Sequence, residues 1–421
     1  MEAYAKALNF GIPFFTLLIL LELTYGVLTK RITANLPDTI SSLSSGIANI
    51  TKDILGLIVA VISYSWLETN YAFFELNVVW WMFPLVFVVK DFAGYWIHRF
   101  EHMVNYFWNR HMIHHSSEEY NLACALRQSI SQIFSLTIFI LFPLALLGVP
   151  TEVFAIVAPI HLFAQFWYHT QHIHRMGVLE KIIVTPSHHR VHHAINEIYL
   201  DRNFSQIFIV WDKWFGTFQE ELEEEVPVYG VKKAVATWNP ILINFQHASR
   251  VWLDFFRTDS WKDKARIWFM PTGWRPDDVT EKYPIQIIEN PQDQIKYMPL
   301  IPVWIKVWCA FQLLSTLITA MFLFNNIAIL AFGHAVIIGA FIFLAIYSYT
   351  SIMDGKRYAA LLEIFKGILG MMGWYLLESS YEFGAVWAIL MTGIVVYQSI
   401  CIGLSVIYLL KAEKIPQQVN V

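Results

Sequence analysis

His98-Arg99-Phe100-Glu101-His102, His111-Met112-Ile113-His114-His115 and His188-His189-Arg190-Val191-His192-His193 decide how this chain reads. Thirteen of its fifteen histidines fall between His98 and His193. Residues three or four apart share a helix face, so each block aims two or three imidazoles at one point. His98, His102, His111, His114, His115, His189, His192 and His193 stand at such spacing. Together they exceed the needs of one ion, since a closed zinc site takes about four ligands. Two metals roughly 3.5–4 Å apart accommodate the set, and neutral imidazole suits Fe, Zn, Cu or Ni.

Working outward, His169 follows the aromatic run Phe166-Trp167-Tyr168, where an apolar hairpin returns to the first two blocks, and is expected as a further ligand. His188 cannot share the face of His189, His192 and His193. It is expected to ligate by a bent approach or to donate to a neighbour. His161 reads as a satisfied interior histidine, His172 and His174 as looser neighbours, and His247 and His334 as isolated. Ligating imidazoles donate their other N–H to carboxylates or carbonyls. Asp91, seven residues before His98, shares its face and is expected to support that block, while Asp201 and Asn203 follow the last block closely enough to orient it, an ordinary turn being the other reading. Glu101, Glu118 and Glu119 read as solvated carboxylates beside basic residues.

The surrounding chain is membrane scaffold. Of 421 residues, 56% are hydrophobic and only 15% charged, a balance of integral membrane proteins. A net charge of -4 gives no electrostatic case for nucleic acid as a partner. Cys124, Cys309 and Cys401 form no Cys-x-x-Cys pair and read as packing residues. Apolar stretches at 8–28, 53–68, 78–97, 133–149, 151–168, 303–324, 326–348, 358–377 and 383–410 predict about nine membrane-entering helices. The first lacks a basic lead and a cleavage site and reads as a retained helix. Gly148-Val149-Pro150 makes 133–168 a hairpin, and polar residues 169–300 form a cap.

Lys and Arg in short loops mark the cytoplasmic side. Lys30-Arg31, Lys90 to Arg110, residues 169–300, Lys356-Arg357, Lys411 and Lys414 all fall on one side. The opposite loops, Thr69–Asn77, Asn325-Asn326 and Glu378–Glu382, have neither residue; only Lys6 disagrees. The expected architecture is therefore an all-α polytopic membrane protein whose cytoplasmic, histidine-rich cap holds a dimetal site. Its expected divisions are N-terminal membrane helices over 1–84, a histidine-box domain over 85–275, a connector over 276–300 and C-terminal membrane helices over 301–421. Nitrogen ligands alone do not tell iron from zinc, so a structural-zinc protein and a metal transporter stay open at this point. Transport sites, however, sit near the bilayer midplane.

The order His-x-x-x-His, His-x-x-His-His, His-x-x-His-His resembles the membrane fatty acid hydroxylase and sterol desaturase superfamily. Flanking words narrow it: His114-His-Ser-Ser-Glu-Glu-Tyr-Asn-Leu122, Ala125-Leu-Arg-Gln-Ser129, Gln165-Phe-Trp-Tyr-His-Thr170, Thr185-Pro-Ser-His-His-Arg-Val-His-His193 and Trp211-Asp-Lys-Trp-Phe-Gly-Thr-Phe218 are similar to the alkylglycerol monooxygenase family. The resemblance implies two histidine-bound irons, dioxygen as co-substrate and hydroxylation of a lipid C–H bond. In that family it further implies tetrahydrobiopterin and the ether-linked carbon of an alkylglycerol, which cleaves to an aldehyde. Hydroxylation or desaturation of fatty acids or sterols is the sibling reading. The electron donor, pterin or reductase, stays open. Met103 departs from the family, which commonly has Glu after the second histidine of the first block; Glu101 flanks that histidine on its other side. The lipid is expected to enter sideways between 53–97 and the hairpin, with Trp80, Trp81, Trp96 and Trp108 near the entrance.

Overall fold

A computed structural model describes residues 2–136, 138–381 and 384–411. The chain runs through α1 (Glu2–Leu28), α2 (Leu36–Tyr71), α3 (Met82–Met103), α4 (Asn105–His115), the hairpin helices α5 (Ile138–Leu146) and α6 (Thr151–Phe163), and α7 (Pro186–His193). The short helices α8 (Val210–Phe215), α9 (Pro240–Arg257), α10 (Trp261–Arg266) and α11 (Asp277–Lys282) follow. Last come α12 (Val303–Asn326), α13 (Phe332–Met353), α14 (Tyr358–Ser380) and α15 (Ala385–Lys411). Among the described residues there is no strand, only isolated bridges such as Val104 with Pro271. The all-helical expectation holds.

Among the described residues, five helices are long and apolar enough to cross a membrane: α1 over Gly11–Leu28, and α12 to α15. The expected stretches 53–68 and 78–97 lie inside α2 and α3, which carry polar residues at their inner faces. α2 has 36 residues, and its first half buries Ser41, Ser42, Ser44 and Ser45. α3 buries Asp91 completely. The stretch 151–168 stops being α-helical at Phe163, because Gln165 N and Phe166 N bond three residues back and tighten the chain into a turn. Glu382 and Lys414, used above in sorting the loops, lie outside the described residues.

Local sequence explains the elements that matter for the site. Asn35 caps α2 by accepting from Asp38 N at 2.9 Å, with Pro37 in the first turn, where no amide partner is missed. Asn239 and Pro240 open α9 in the same way. Gly148 adopts φ 77° at the tip of the hairpin; a Cβ there would lie 1.9 Å from Phe74 O, so the turn needs glycine twice over.

The junction of α3 and α4 is a single extended residue, Val104, at φ −127° and ψ 126°. Asn105 N donates to Met270 O at 3.0 Å and Tyr106 N to Trp268 O at 2.8 Å. This cap segment replaces the bonds that a continuous helix would have made and lets α4 fold back along α3. The largest core lies elsewhere. Ile40, Ile47, Ala48 and Ile54 of α2 pack with Ile305, Cys309, Ile338, Ile342 and Ile346 of the C-terminal helices. Cys124, Cys309 and Cys401 are free and buried, as packing residues should be.

Candidate metal centre

Folding α4 back against α3 brings His98 and His102 to His111 and His115. The Nε2 atoms of His98 and His111 are 2.8 Å apart, those of His111 and His115 2.9 Å, and those of His102 and His115 3.1 Å. His192 of α7 stacks edge-on against His98 at 4.4 Å between ring centroids. A second group forms beside the first: His189 Nε2 lies 2.9 Å from His169 Nε2 and 3.0 Å from His193 Nε2, and His114 Nε2 lies 3.3 Å from His169 Nε2. His115 and His193 stack at 4.3 Å where the groups meet. Within each group, His98, His102, His111, His115 and His192, then His114, His169, His189 and His193, the ligating atoms lie within 4.8 Å of one another. The structure thus brings together nine of the ten histidines expected as ligands.

The outward nitrogens determine what the inward ones can do. His98 Nδ1 meets Phe204 O at 2.6 Å, His114 Nδ1 meets Arg127 O at 3.3 Å, His169 Nδ1 meets Gln165 O at 3.0 Å, and His192 Nδ1 meets Arg202 O at 2.9 Å. A carbonyl only accepts, so each of these Nδ1 atoms carries the proton and each Nε2 presents a lone pair. His114 and His169 therefore point two lone pairs at each other, and His192 Nε2 is buried without a partner. Protein hydrogen bonds satisfy neither arrangement; a cation among the Nε2 atoms satisfies both. The donor set fits a nitrogen-ligated metal.

Burial keeps His98, His111, His114, His115, His169, His189, His192 and His193 neutral. It is the largest cause pushing His98, His111, His115, His169, His189, His192 and His193 well below their ordinary value, with neighbouring imidazoles adding to it. Burial brings His114 down to about 4. Neutral imidazole is the form that ligates.

The other expected site residues are placed as follows. His188 turns away from both groups: its Nδ1 accepts from Thr185 N at 3.4 Å, completing the cap of α7, and its ring packs on Phe218. Asp201 reaches His102 Nδ1 at 3.3 Å, an imidazole of the first block and not of the last block that it follows in sequence. Asp91 does not touch His98. It accepts from His161 Nε2 at 2.9 Å, Ile207 N at 2.9 Å, Phe208 N at 3.1 Å and Trp211 Nε1 at 2.8 Å, so it fastens the loop whose Phe204 carbonyl holds His98. Asn203 bonds no imidazole; its Nδ2 donates to His188 O at 3.0 Å and Gln219 O at 2.8 Å, tying α7 to the same loop. His161 is the satisfied interior histidine expected.

Several supports carried no expectation. Asp212 accepts from Phe204 N and Ser205 N, both at 2.8 Å, steadying that loop from its other end. Arg127, whose carbonyl meets His114, is buried and donates to Ser42 Oγ at 3.0 Å, Ser116 Oγ at 2.7 Å and Asp38 Oδ1 at 2.5 Å. Glu101 is buried rather than solvated. It pairs with Arg110 and faces His111 Nδ1 at 3.6 Å, because folding α4 onto α3 closes over it.

A fatty acid hydroxylase family model matches residues 83–217, the stretch holding all nine converging histidines, so α3, α4 and α7 belong to a fatty acid hydroxylase domain. Across most of its length the chain is also 34% identical, over 364 residues, to alkylglycerol monooxygenase of Homo sapiens, covering 86% of this chain and 80% of that protein. The same enzyme of Danio rerio is 34% identical over 385 residues, 88% of this chain and 83% of the other. The chain belongs to the alkylglycerol monooxygenase family. A shorter likeness, 28% over 150 residues, links it to an ornithine lipid hydroxylase of Rhizobium tropici. No solved structure matches.

Proposed function

We propose that this protein is a membrane-bound, non-haem di-iron monooxygenase that hydroxylates the ether-linked carbon of an alkylglycerol lipid. The observation that carries the reading is the pair of adjoining imidazole groups, in which the Nε2 lone pairs of His114 and His169 face each other and His192 Nε2 is buried without a partner. We assign His98, His102, His111, His115 and His192 to one iron and His114, His169, His189 and His193 to the other. His188 is left to its helix cap. Bound iron supplies oxidation of a C–H bond by dioxygen. The balance is one dioxygen, two electrons and two protons, giving one hydroxyl on the carbon and one water. The hydroxylated ether carbon is a hemiacetal, which breaks to a fatty aldehyde and a free glycerol hydroxyl. The electrons come from outside the chain, from tetrahydrobiopterin or a reductase.

The chain's own residues hold, orient and exclude. The carbonyls of Phe204, Arg127, Gln165 and Arg202 fix ring orientation, and such outer partners are worth about 10–100-fold in metal affinity. Tyr120 and Tyr168 cover the second group, Tyr168 packing 4.3 Å from His189 and Tyr120 5.3 Å from His193. An apolar cavity of about 300 Å³ lies between α3 and α6, lined by Phe83, Phe87, Ile156, Val157, Ile160 and Phe208 among others. It suits part of an alkyl chain entering from the side, between the hairpin and α3. The basic residues at one set of helix ends support a site on the cytoplasmic face.

The test is metal analysis by mass spectrometry on protein grown with iron, joined to oxygen uptake and aldehyde release from an alkylglycerol with tetrahydrobiopterin. Two irons per chain and substrate-dependent uptake are expected. Stoichiometric zinc without iron, and no uptake with any reductant, would sink the proposal. Uptake with a fatty acid or sterol but not an ether lipid would move it to the sibling chemistry.

A further inference from the structure

Helix α9 carries two apolar faces. One is buried: Ile243, Ala248 and Val251 face inward, with Ile243 packed on Met112 and Ile113 of the histidine helix α4. The other is bare. Leu242, Phe245, Trp252, Leu253 and Phe256 fall at helical spacing and are 41%, 42%, 48%, 50% and 72% exposed. Trp261 of α10 and Phe269 beyond it extend the strip at 80% and 70%. A row of large apolar side chains in water is unusual on a protein surface and marks an interaction site.

Position and charge name the occupant. The cap of α9, Asn239, donates to Tyr347 O at 3.1 Å and Ser351 Oγ at 2.9 Å, and Trp238 N donates to Asp354 at 2.7 Å. These partners are the last turns and the end of α13, a helix of membrane-crossing length, so α9 starts level with the end of a span. Basic residues border the aromatic strip. Lys264 Nζ lies 4.9 Å over the Trp261 ring, Arg257 lies over Tyr283 at 4.2 Å, and Lys262 is exposed. Aromatic and aliphatic side chains bounded by Lys and Arg are the composition of a helix lying in a lipid interface.

We infer that α9 and α10 lie in the headgroup layer of the leaflet on the cap side and bind anionic lipid. The consequence reaches the metal site. The segment after α10 zips onto the α3–α4 junction, its Met270 O and Trp268 O accepting from Asn105 N and Tyr106 N. The interfacial element is therefore bonded to the residue pair that folds the two histidine helices together, and it sets the depth of the cluster relative to the headgroups. The inference rests on the membrane reading of the chain and not on the oxidation chemistry.

The test uses the full-length protein in nanodiscs of phosphatidylcholine, with or without about a third of phosphatidylserine, carrying a nitroxide at Leu253→Cys or Phe256→Cys. The native cysteines are buried. A control label goes at Glu220→Cys on the exposed acidic segment. Both α9 labels should be relaxed by lipid-soluble oxygen more than by an aqueous nickel complex, with the reverse at Glu220→Cys. Phosphatidylserine should slow label motion, and Lys262→Glu/Lys264→Glu should remove that slowing. Water exposure equal to the control overturns the inference. Labels shielded from both agents, with spin–spin broadening between chains, overturn it in favour of a second copy on this face. Lipid contact insensitive to phosphatidylserine overturns the preference for anionic lipid. Metal content, read on the same samples, keeps this result separate from the oxygenase proposal.

Discussion

At the residue scale, the two histidines of the α7 block that differ most in environment give the sharpest contrast. His192 offers a buried, unpartnered Nε2 to the first group; His188 uses its Nδ1 to cap the helix and faces Phe218. His192→Ala is expected to lose metal from the five-histidine group and abolish turnover. His188→Ala is expected to keep the full metal complement and lose about 1 kcal/mol of stability, the ordinary worth of a cap. Metal counts on both variants check this, and equal metal loss in the two would contradict the assignment. Neutrality of the cluster gives a second expectation. In metal-free protein, burial holds His114 near 4 and seven of its neighbours well below the ordinary value of 6.5. The unfolded chain then takes up more protons than the folded one below about pH 6.5, so stability is present above that pH and falls as pH drops towards the folded values. Denaturant midpoints of chelated protein between about pH 7.5 and about pH 5 should fall with pH. A flat profile would mean the rings are not held neutral.

At the element scale, the α3–α4 turn is a device made by a residue outside both histidine blocks. Asn105 is buried; its Nδ2 donates to Ile267 O at 3.0 Å and Trp274 O at 3.2 Å, and its Oδ1 accepts from Gly273 N at 3.0 Å. Asn105→Ala strands those three backbone groups, at about 1–3 kcal/mol each where water cannot replace them. Thermal unfolding should drop by several degrees or more, and the midpoint for metal release should move with it. An unchanged melting curve would show that the cap segment does not hold the turn. The contrast with the histidines shows what sequence can reveal. Side-chain spacing exposed α3, α4, α7 and eight of the nine converging imidazoles, because periodicity is written in residue types, and the return of the hairpin pointed to the ninth, His169. The partners of those imidazoles are mainly backbone carbonyls, at Phe204, Arg127, Gln165 and Arg202, which leave no mark in the residue types around them. Asp91 was legible as a buried carboxylate needing partners, but three of its partners, Ile207, Phe208 and Trp211, lie over a hundred positions away and His161 lies 70 away. Glu101 reads as solvated beside Arg99 and becomes buried only once α4 has folded back.

At the scale of the whole molecule, the expected division at residue 301 meets a helix that belongs to both sides. One face of α2 sends Ile40, Ile47 and Ile54 into the core with α12 and α13, and Ser44 Oγ lies 2.6 Å from Tyr349 OH. The other face places Asp38 and Ser42 on Arg127, whose carbonyl orients His114. The C-terminal helices thus support one wall of the metal site without touching a ligand. A chain ending at residue 300 keeps all nine converging histidines yet leaves the apolar face of α2 bare, and large core losses of this kind exceed the roughly 5–15 kcal/mol that stabilises a domain. It is expected to aggregate or to purify without metal. Co-expression with residues 301–421 should restore both solubility and metal, because the missing contacts are packing and hydrogen bonds, Ser44 with Tyr349, Asn239 with Tyr347 and Ser351, and Trp238 with Asp354 among them, with no covalent requirement. If the shorter chain instead purifies alone with its full metal complement, the C-terminal bundle is a separate folding unit and α2 needs no partner there. A point variant makes the same argument in the intact protein. Ile47→Ala, distant from every histidine in sequence, should cost about 2–5 kcal/mol and lower the retention of metal during dilution, whereas a purely local metal site would leave retention unchanged.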